Sequence, residues 1–276
     1  MKIGISVTTC DRLKVLRLAL DSLGKKQDAV KVIVDNGTNT RKQVEDIAGQ
    51  LGYHVIDGNK SNSPHGQNLA FEYLLKKGCD AILKSDDDYI CEPNYLDYLS
   101  FVLAKYDNVG AVTGICWATP RKEFISFING DWYTESGARV HGEQFAMWRF
   151  KNPTVAWKAR HLTGAYLYRV EDALKLREKT KDLRGGPFGE YFSRVAGREE
   201  TEFTLLLRQI LHKDLLVVPQ AIVYHTYAPG GTRKFNVGKL VEEDNAKFLE
   251  VCRRLGADST TSPAWIEPAK EIDIKI

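Results

Sequence analysis

Three consecutive aspartates, Asp86, Asp87 and Asp88, follow the apolar run "CDAIL" and are the residues of this sequence best suited to chemistry. Adjacent carboxylates are costly because each raises the pKa of its neighbours, so the run favours a nearby positive charge. Carboxylate oxygens suit Mg²⁺ or Mn²⁺, and these ions keep positions open for substrate phosphates. The run indicates a site for a divalent cation and a nucleotide, with an exposed acidic turn before a helix as the alternative.

The elements that must position these aspartates alternate between short β-branched runs and helical patterns, from "KIGISVTT" to "AILKSDDD". This alternation predicts βαβ units and a parallel sheet, in which ligands bind at the carboxyl ends of the strands. Polar residues stand at two further predicted strand ends, namely Thr8, Thr9 and Asp11, then Asp35 and Asn36. We expect all three strand ends to meet in one cleft.

The remaining two thirds of the chain are less regular. After Pro93 the pattern predicts helices at "NYLDYLSFVLAKY", "EETEFTLLLRQIL" and "KLVEEDNAKFLEVCRRL", a buried strand at "VGAVTGICW", and a strand plus helix at "HLTGAYLYRVEDALKL". "DLLVVPQAIVYH" predicts a pair of strands, and we expect the tail after Gly256 to be loosely ordered. Between about 119 and 160 no pattern is clear, but the segment is rich in aromatic residues and carries seven Lys or Arg against four Asp or Glu.

The composition sets broad limits. A chain of 276 residues with 43% hydrophobic residues is large enough for a proper core, and the lack of a clear linker favours one domain. A net charge of +3 excludes a polyanion-binding molecule as a whole. Five cysteines without a CxxC pair argue against a disulfide framework or a structural zinc site. No apolar run approaches the roughly 20 residues of a membrane helix, so we expect a soluble, cytoplasmic protein.

Three well-known motifs can be tested directly. The sequence has no GxGxxG after its first strand and no GxxxxGK[ST], which excludes the usual dinucleotide and P-loop interpretations. "HGE" at His141 is part of the zinc deaminase signature, but the required PCxxC is absent.

Seven segments together carry a resemblance to the family 2 glycosyltransferases with a GT-A fold. In chain order they are "SVTTCDR", "VDNGT", "HGQNLAF", "SDDD", "LTGAYLYR", "GREETEF" and "VVPQAIVYH". The resemblance covers most of the chain and rests on the order of the segments, since a DxD motif alone is weak. It implies an α/β fold with a mixed, mostly parallel central sheet flanked by helices. It also implies transfer of a sugar from a nucleotide sugar, most simply a UDP-sugar, with inversion at the anomeric carbon.

The resemblance assigns one set of residues to the nucleotide sugar. Within the acidic run, Asp86 is similar to the first DxD aspartate, near the ribose and diphosphate, and Asp87 is the ambiguous middle residue. Arg233, in the loop "APGGTRKF", is placed to neutralise the departing diphosphate. The other positions implied in donor binding are Thr9, Asp11, Arg12, Asp35, Gly66, Gln67, Asn68 and Gly164.

The resemblance also implies a metal site and a catalytic base. Asp88 and His225 resemble the residues that bind Mn²⁺ or Mg²⁺. In "GREETEF" this chain has Glu199 and Glu200 where the family usually has Glu-Asp, with the Asp as base. We assign the base to Glu200, with Glu199 as the second choice. A helix N-terminus enriched in acids fits "EETE" equally well.

The acceptor stays open at this level. The aromatic and basic segment lies between the donor motifs and the base, where the family has acceptor-binding elements, and it suits a glycan or a nucleic acid. We expect a nucleotide-binding half at 1–90, an acceptor and catalytic half at 91–228, and a mobile loop with the final helix at 229–276. Two rival functions are a nucleotidyltransferase of similar fold and a catalytically silent sugar-nucleotide-binding protein.

Overall fold

A computed structural model describes residues 1–24, 28–37, 40–59, 62–119, 139–140, 155–193, 198–226, 237–261 and 265–272. Its strands are β1 (Ile3–Thr9), β2 (Val30–Asp35), β3 (His54–Asp57), β4 (Ala81–Asp86), β5 (Tyr89–Cys91), β6 (Val109–Thr119), β7 (Arg139–Val140), β8 (Ala156–Ala159), β9 (Tyr166–Arg169), β10 (Asp214–Thr226) and β11 (Trp265–Ala269). Its helices are α1 (Leu13–Gly24), α2 (Arg41–Leu51), α3 (Ser63–Lys76), α4 (Tyr95–Lys105), α5 (Val170–Arg184), α6 (Glu199–Leu211) and α7 (Val237–Leu255).

All described strands belong to one mixed sheet, whose main path runs β11-β8-β10-β6-β9-β4-β1-β2-β3. β1 pairs in parallel with β2 and β4, and β10 pairs in parallel with β6. β9 is antiparallel to both β4 and β6, so its first residue, Tyr166, lies near the end of β4, opposite Lys84. The predicted α/β fold with a mixed, mostly parallel sheet flanked by helices is confirmed.

The pairing register brings the predicted strand ends together. Thr9 at the end of β1 is opposite Asp35 at the end of β2, and Thr8 is opposite Asp86 at the end of β4. β10 runs in the same direction as β1, β2 and β4, so its last residues, including His225, lie at the same edge. We call this edge the active edge.

Two cores cover the two faces of the sheet, because alternate strand residues point to opposite sides. In β4, Leu83 packs into one core with Ile5 and Ile33. Ile82, one residue earlier, packs into the other core with Phe71 and Phe203. Helices on both faces explain why β4 has no exposed face and reads as a nearly continuous apolar run.

Helix α6, which carries both candidate bases, is fixed by buried polar contacts. The guanidinium of Arg184 donates from Nη2 and Nε to the two carboxylate oxygens of Glu202, at 2.8 and 3.1 Å. The Thr204 hydroxyl accepts from the Leu162 amide at 2.8 Å and donates to the Leu162 carbonyl at 3.1 Å. These contacts tie α6 to α5 and to the segment before β9.

Three expectations about local structure are corrected. "DLLVVPQAIVYH" forms one long strand, β10, because Pro219 interrupts the ladder with a register shift between Val218 and Ile222 without reversing the chain. The acidic run leads into β5, which pairs with β10, and not directly into a helix. The tail after Gly256 contributes β11, which pairs with β8.

Arg233 and the loop around it lie outside the described residues, as does most of the aromatic and basic segment. Within the described ranges, no helix has both the length and the apolar character that crossing a membrane requires.

Candidate active site

The acidic run forms a tight turn between β4 and β5 at the active edge. Asp86 is the last residue of β4, and Asp87 and Asp88 form the turn before Tyr89. Asp87 is 0% exposed and Asp88 is 4% exposed. An exposed acidic turn, the alternative interpretation from the sequence, is therefore wrong. Buried carboxylates require partners, and each of the three has a different set.

The middle aspartate, Asp87, holds the turn against β1. Its carboxylate accepts from the Thr9 hydroxyl at 2.7 Å and from the Cys10 amide at 3.4 Å, and it forms an ion pair with Arg12. Burial raises the pKa of Asp87 to about 7, while the charge of Arg12 acts in the opposite direction. The contacts give this residue a structural task that the sequence left open.

The last aspartate, Asp88, meets two nitrogen-containing groups. His225 Nε2 lies 3.1 Å from Asp88 Oδ2, and Arg12 Nη1 lies 2.5 Å from the same oxygen. Burial alone would raise the pKa of Asp88, but the His225 hydrogen bond and the Arg12 charge hold it below its ordinary value. The Tyr89 ring stacks on His225 with centroids 4.7 Å apart, which fixes the imidazole plane.

Asp88 and His225 are predicted to bind a divalent cation as a pair of ligands. One carboxylate oxygen and one imidazole nitrogen converge in a buried place, and the carboxylate oxygen suits Mn²⁺ or Mg²⁺. Arg12 contacts the same oxygen of Asp88, so a bound cation would take the place of that contact. Among the described residues, no group of three His, Cys, Asp or Glu side chains forms a candidate ligand set. Substrate phosphate and water commonly fill the remaining coordination positions of such ions.

The first aspartate, Asp86, belongs to a separate branch that reaches Glu200. Asp86 Oδ1 accepts from the Thr8 hydroxyl at 3.0 Å and lies 3.0 Å from Lys84 Nζ. Lys84 also donates to Glu200 Oε1. Glu200 Oε2 accepts from the Gly164 amide at 2.8 Å. Both oxygens of Glu200 are thus held by the protein, while 15% of its side chain remains accessible.

Gly164 connects the two branches. Its φ of 79° lies in the left-handed region, and a Cβ atom there would come within 3.0 to 3.1 Å of the Tyr89 ring. The glycine thus lets its amide reach Glu200 while Tyr89 reaches His225. A continuous path of contacts therefore links the predicted metal pair to the predicted base.

Replacing Gly164 with Ala is expected to weaken both branches. An L-residue in the left-handed region costs about 1–2 kcal/mol, and the added methyl must displace Tyr89. We expect a lower free energy of unfolding in chemical denaturation and weaker Mn²⁺ binding in calorimetry. Gly78 has a φ of 70°, and a Cβ added there would meet no atom within 4 Å, so Gly78→Ala is the matched control for backbone strain alone. Equal effects of the two changes would contradict the role given to the Tyr89 contact.

Glu199, the second choice for the base, points into the protein. It is buried, and this burial raises its pKa to about 8, with the charge of Lys84 lowering it and that of Asp86 raising it further. A carboxyl group with this pKa is mostly protonated at neutral pH, and a protonated carboxyl group cannot take up the proton of the acceptor hydroxyl. The burial of Glu199 and the partly accessible side chain of Glu200 both favour Glu200 as the base.

The raised pKa of Glu199 predicts a pH dependence of stability. Its pKa is about 8 in the folded state and 4.5 ordinarily, so between these values the folded chain binds a proton that the unfolded chain has lost. Its contribution to stability is full below pH 4.5 and is lost as the pH rises through 8. Urea unfolding of wild type and Glu199→Gln across this range should show a smaller decline in the variant. Parallel declines would contradict the assignment.

Asp11 and Asp35 form a second group at the active edge, around Gly37. Asp11 has a φ of 57°, which is unusual for a residue with a side chain, and its Oδ1 accepts from Thr40 at 3.1 Å. Asp35 Oδ1 accepts from the Gly37 amide at 2.8 Å, and burial raises the pKa of Asp35. Strained residues such as Asp11 often occur at ligand sites, and the pocket for the nucleotide base and ribose stays a prediction.

The residues predicted at the far side of that pocket have packing roles. A Cβ at Gly66 would lie 3.0 Å from Asn36 Nδ2, so glycine lets α3 approach β2 closely. The Gln67 amide donates to Ser63 at 2.9 Å. The Asn68 amide donates to the Phe188 carbonyl at 2.9 Å and accepts from the Phe188 amide at 3.0 Å. Their part in donor binding stays a prediction.

Lys84 is the site residue that the sequence interpretation missed. It is 1% exposed and lies in β4 two residues after Ile82, at a position where a buried strand normally has an apolar side chain. The strand pattern of the sequence alone is enough to show that a lysine occupies a buried strand position directly before a polar strand end, which could have identified it as a site residue. The sequence interpretation of "KSDDD" gives roles to the three aspartates and none to the lysine.

Comparisons with known proteins agree on the fold. No protein-family model matches the sequence, and no curated protein matches it either. Among solved structures, S. aureus TarS 1–349 in complex with UDP-GlcNAc matches with a TM-score of 0.60 and 16% identity, over 94% of this chain and 68% of that one. GalNAc-T7 with UDP, GalNAc and Mn²⁺ matches with a TM-score of 0.62 and 14% identity, over 92% of this chain and 48% of that one.

A third structure, the mannosyltransferase PcManGT from Pyrobaculum calidifontis in complex with GDP-Man and Mn²⁺, matches with a TM-score of 0.59 and 13% identity. The match extends over 95% of this chain and 66% of PcManGT. This chain thus spans about half of GalNAc-T7 and about two thirds of the other two proteins. At these identities the likeness establishes the architecture, and the chain therefore has the GT-A fold of glycosyltransferase structures.

Proposed function

We propose that the protein is a metal-dependent, inverting glycosyltransferase of the family 2 type, which moves a sugar from a nucleotide sugar to an acceptor hydroxyl. The observation that carries the proposal is an arrangement at one sheet edge. Asp88 contacts His225, Tyr89 stacks on His225 and lies next to Gly164, and the Gly164 amide donates to Glu200. A cation site and an accessible carboxylate are the two parts that such a transfer requires. The nucleotides and sugars bound in the three similar structures support this choice.

The donor would lie across the active edge with its nucleoside near Asp11 and Asp35. Asp86 stands between this pocket and the base, where it would contact the ribose or diphosphate side of the donor. Arg12 bridges Asp87 and Asp88 and carries a positive charge beside the expected diphosphate position. Arg233 would supply a second positive charge from the following loop. A UDP-sugar is our preferred donor.

Asp88 and His225 would hold Mn²⁺ or Mg²⁺, which when bound supplies Lewis-acid stabilisation of charge on the departing diphosphate. Asp88 is suited to this because its lowered pKa keeps it ionised at neutral pH. Tyr89 keeps the His225 ring in one plane by stacking on it. Mn²⁺ in two of the similar structures supports a divalent ion.

Glu200 would accept the proton of the acceptor hydroxyl as that oxygen attacks the anomeric carbon from the side opposite the nucleotide. The Gly164 amide holds one oxygen of the carboxylate before the acceptor arrives. Each carboxylate oxygen has a second lone pair for the incoming proton. A single displacement of this kind inverts the configuration, so retention would sink the mechanism.

The acceptor is proposed to be a glycan hydroxyl, bound in part by the aromatic and basic segment. Aromatic rings stack on sugar faces and also on nucleic acid bases, so a modified nucleic acid is the alternative acceptor. Nucleic acid binding would weaken steeply with salt. Absence of DNA and RNA binding at low salt would remove that alternative.

A thermal-shift screen tests the proposal most economically, because a ligand that binds the native state raises the apparent stability. UDP-, GDP- and other nucleotide sugars would be compared with and without Mn²⁺. We expect one class of donor to raise the melting temperature, with a larger shift in the presence of Mn²⁺. A uniform lack of shift across the panel would contradict the proposal.

A nucleotidyltransferase of similar fold is the second candidate, since its chemistry also uses metal-binding aspartates at such a sheet edge. It would attack at phosphorus and release pyrophosphate. The accessible Glu200 near the acidic turn favours attack of an acceptor hydroxyl on the anomeric carbon of the sugar. Release of a nucleoside diphosphate indicates sugar transfer, whereas release of pyrophosphate indicates nucleotidyl transfer.

A further inference from the structure

Lys84 is a buried charged residue beside the active edge that the proposed chemistry does not require. Its side chain is 2% exposed, although lysine is rarely buried unless it is paired. It lies on the face of β4 that is covered by the core of Phe71, Tyr166 and Phe203. Its stem therefore crosses apolar surroundings, and only its ammonium reaches the active edge.

The ammonium reaches two carboxylates from distant parts of the sequence. It lies 3.0 Å from Asp86 Oδ1, on its own strand, and donates to Glu200 Oε1, at the start of α6. Asp86 is assigned to the donor, and Glu200 is assigned to the acceptor proton. One lysine thus connects the donor side of the site to the acceptor side.

We propose that Lys84 is a positioning residue that orients Glu200 for proton abstraction and links its orientation to Asp86. The inference rests on the proposed function and extends it to a residue outside the DxD, histidine and base positions. Two hydrogen-bond donors then define the orientation of the Glu200 carboxylate: Lys84 donates to Oε1 and the Gly164 amide donates to Oε2. With only one of them, the carboxylate can rotate about its last bond.

The charge balance supports a role beyond packing. Glu200, Asp86 and Glu199 are three carboxyl groups near one lysine, and Lys84 acts on Glu199 as well. Without the Lys84 ammonium, Asp86 and Glu200 would repel each other, and the more mobile of the two side chains would turn away. Without Lys84, Asp86 keeps the hydrogen bond from Thr8 and Glu200 keeps the one from the Gly164 amide. The Glu200 side chain is the more mobile of the two because it has one more rotatable bond. The loss of Lys84 should thus affect the base before it affects the donor.

The test compares Lys84→Met, which keeps the length of the side chain, with Lys84→Gln, which keeps hydrogen-bond donors without the charge. For the folded variants we expect kcat to fall about 100-fold, since a misplacement of about 1 Å costs that much. The dissociation constant for UDP with Mn²⁺ should change by less than about threefold, because the nucleotide contacts are left in place. Lys213→Met is the matched control, because Lys213 pairs with the buried Asp172 at the opposite sheet edge.

A double-mutant cycle provides a readout that needs no catalysis. Lys84→Gln, Glu200→Gln and the double variant would be compared in urea unfolding, where groups in contact give non-additive changes. Additive changes, or an unchanged kcat in folded Lys84 variants, would overturn the inference. If wild type transfers no sugar from any donor, the proposed function fails, while the cycle still decides whether Lys84 holds Glu200.

Discussion

Replacing Glu200 with Gln is expected to lower kcat for sugar transfer by about 100- to 10,000-fold, the usual contribution of a general base. The amide keeps the shape and the contact with the Gly164 amide but cannot accept the acceptor proton. Steady-state kinetics with the donor found by thermal shift, followed as transfer or as donor hydrolysis, would measure the change. Donor affinity should stay nearly constant, because glutamine can keep the hydrogen bond from the Gly164 amide and Asp86 keeps its contacts with Thr8 and Lys84.

The neighbouring glutamates separate the base from a general effect of charge. Glu199→Gln is expected to keep most of the activity, because the buried Glu199 carboxyl with its pKa of about 8 is already largely neutral. Glu178→Gln, on the exposed side of α5, controls for loss of a surface charge. A larger loss for Glu199→Gln than for Glu200→Gln would reverse the assignment of the base.

Replacing Asp88 with Asn is expected to remove most of the metal-dependent activity, a loss of about 100-fold or more, since a Lewis acid supplies several kcal/mol. The amide can still meet His225 and has nearly the same volume, so the fold should be retained. Calorimetry would measure Mn²⁺ binding in the presence of the nucleoside diphosphate, where wild type should bind and the variant should not.

Asp80→Asn is the matched control, since that aspartate pairs with the Lys2 amide far from the active edge. Unchanged Mn²⁺ binding in Asp88→Asn would show that the metal has other ligands. The same result combined with lost activity would assign Asp88 to the donor and not to the metal.

The sheet and its active edge follow from the sequence for a simple reason. β-branched runs at regular spacing predict parallel strands, and the carboxyl ends of parallel strands must share an edge. Asp35, Asp86 and His225 are distant in sequence, yet the strand order alone brings them to this edge. The resemblance supplied the roles, because no spacing rule distinguishes a metal ligand from a nucleotide contact.

The details that the sequence did not provide depend on tertiary contacts. A turn followed by the short strand β5, and not by a helix, buries Asp87 and Asp88, and its pairing with β10 places Tyr89 on His225. In the sequence, Lys84 looks like the first residue of a charged run. In the structure it is buried in a strand, which is unusual for a lysine. A two-residue period carries the information that a side chain is buried, but not which groups it meets across the sheet.

The nucleotide product distinguishes sugar transfer from its alternatives in a single experiment. The wild-type protein would be incubated with Mn²⁺, the preferred nucleotide sugar and either water or a mixture of glycans as acceptor, and the nucleotides would be separated by chromatography. We expect release of a nucleoside diphosphate in step with the free or transferred sugar, and almost none with Glu200→Gln. Release of pyrophosphate, or equal release by Glu200→Gln, would contradict a sugar transfer that uses Glu200 as its base.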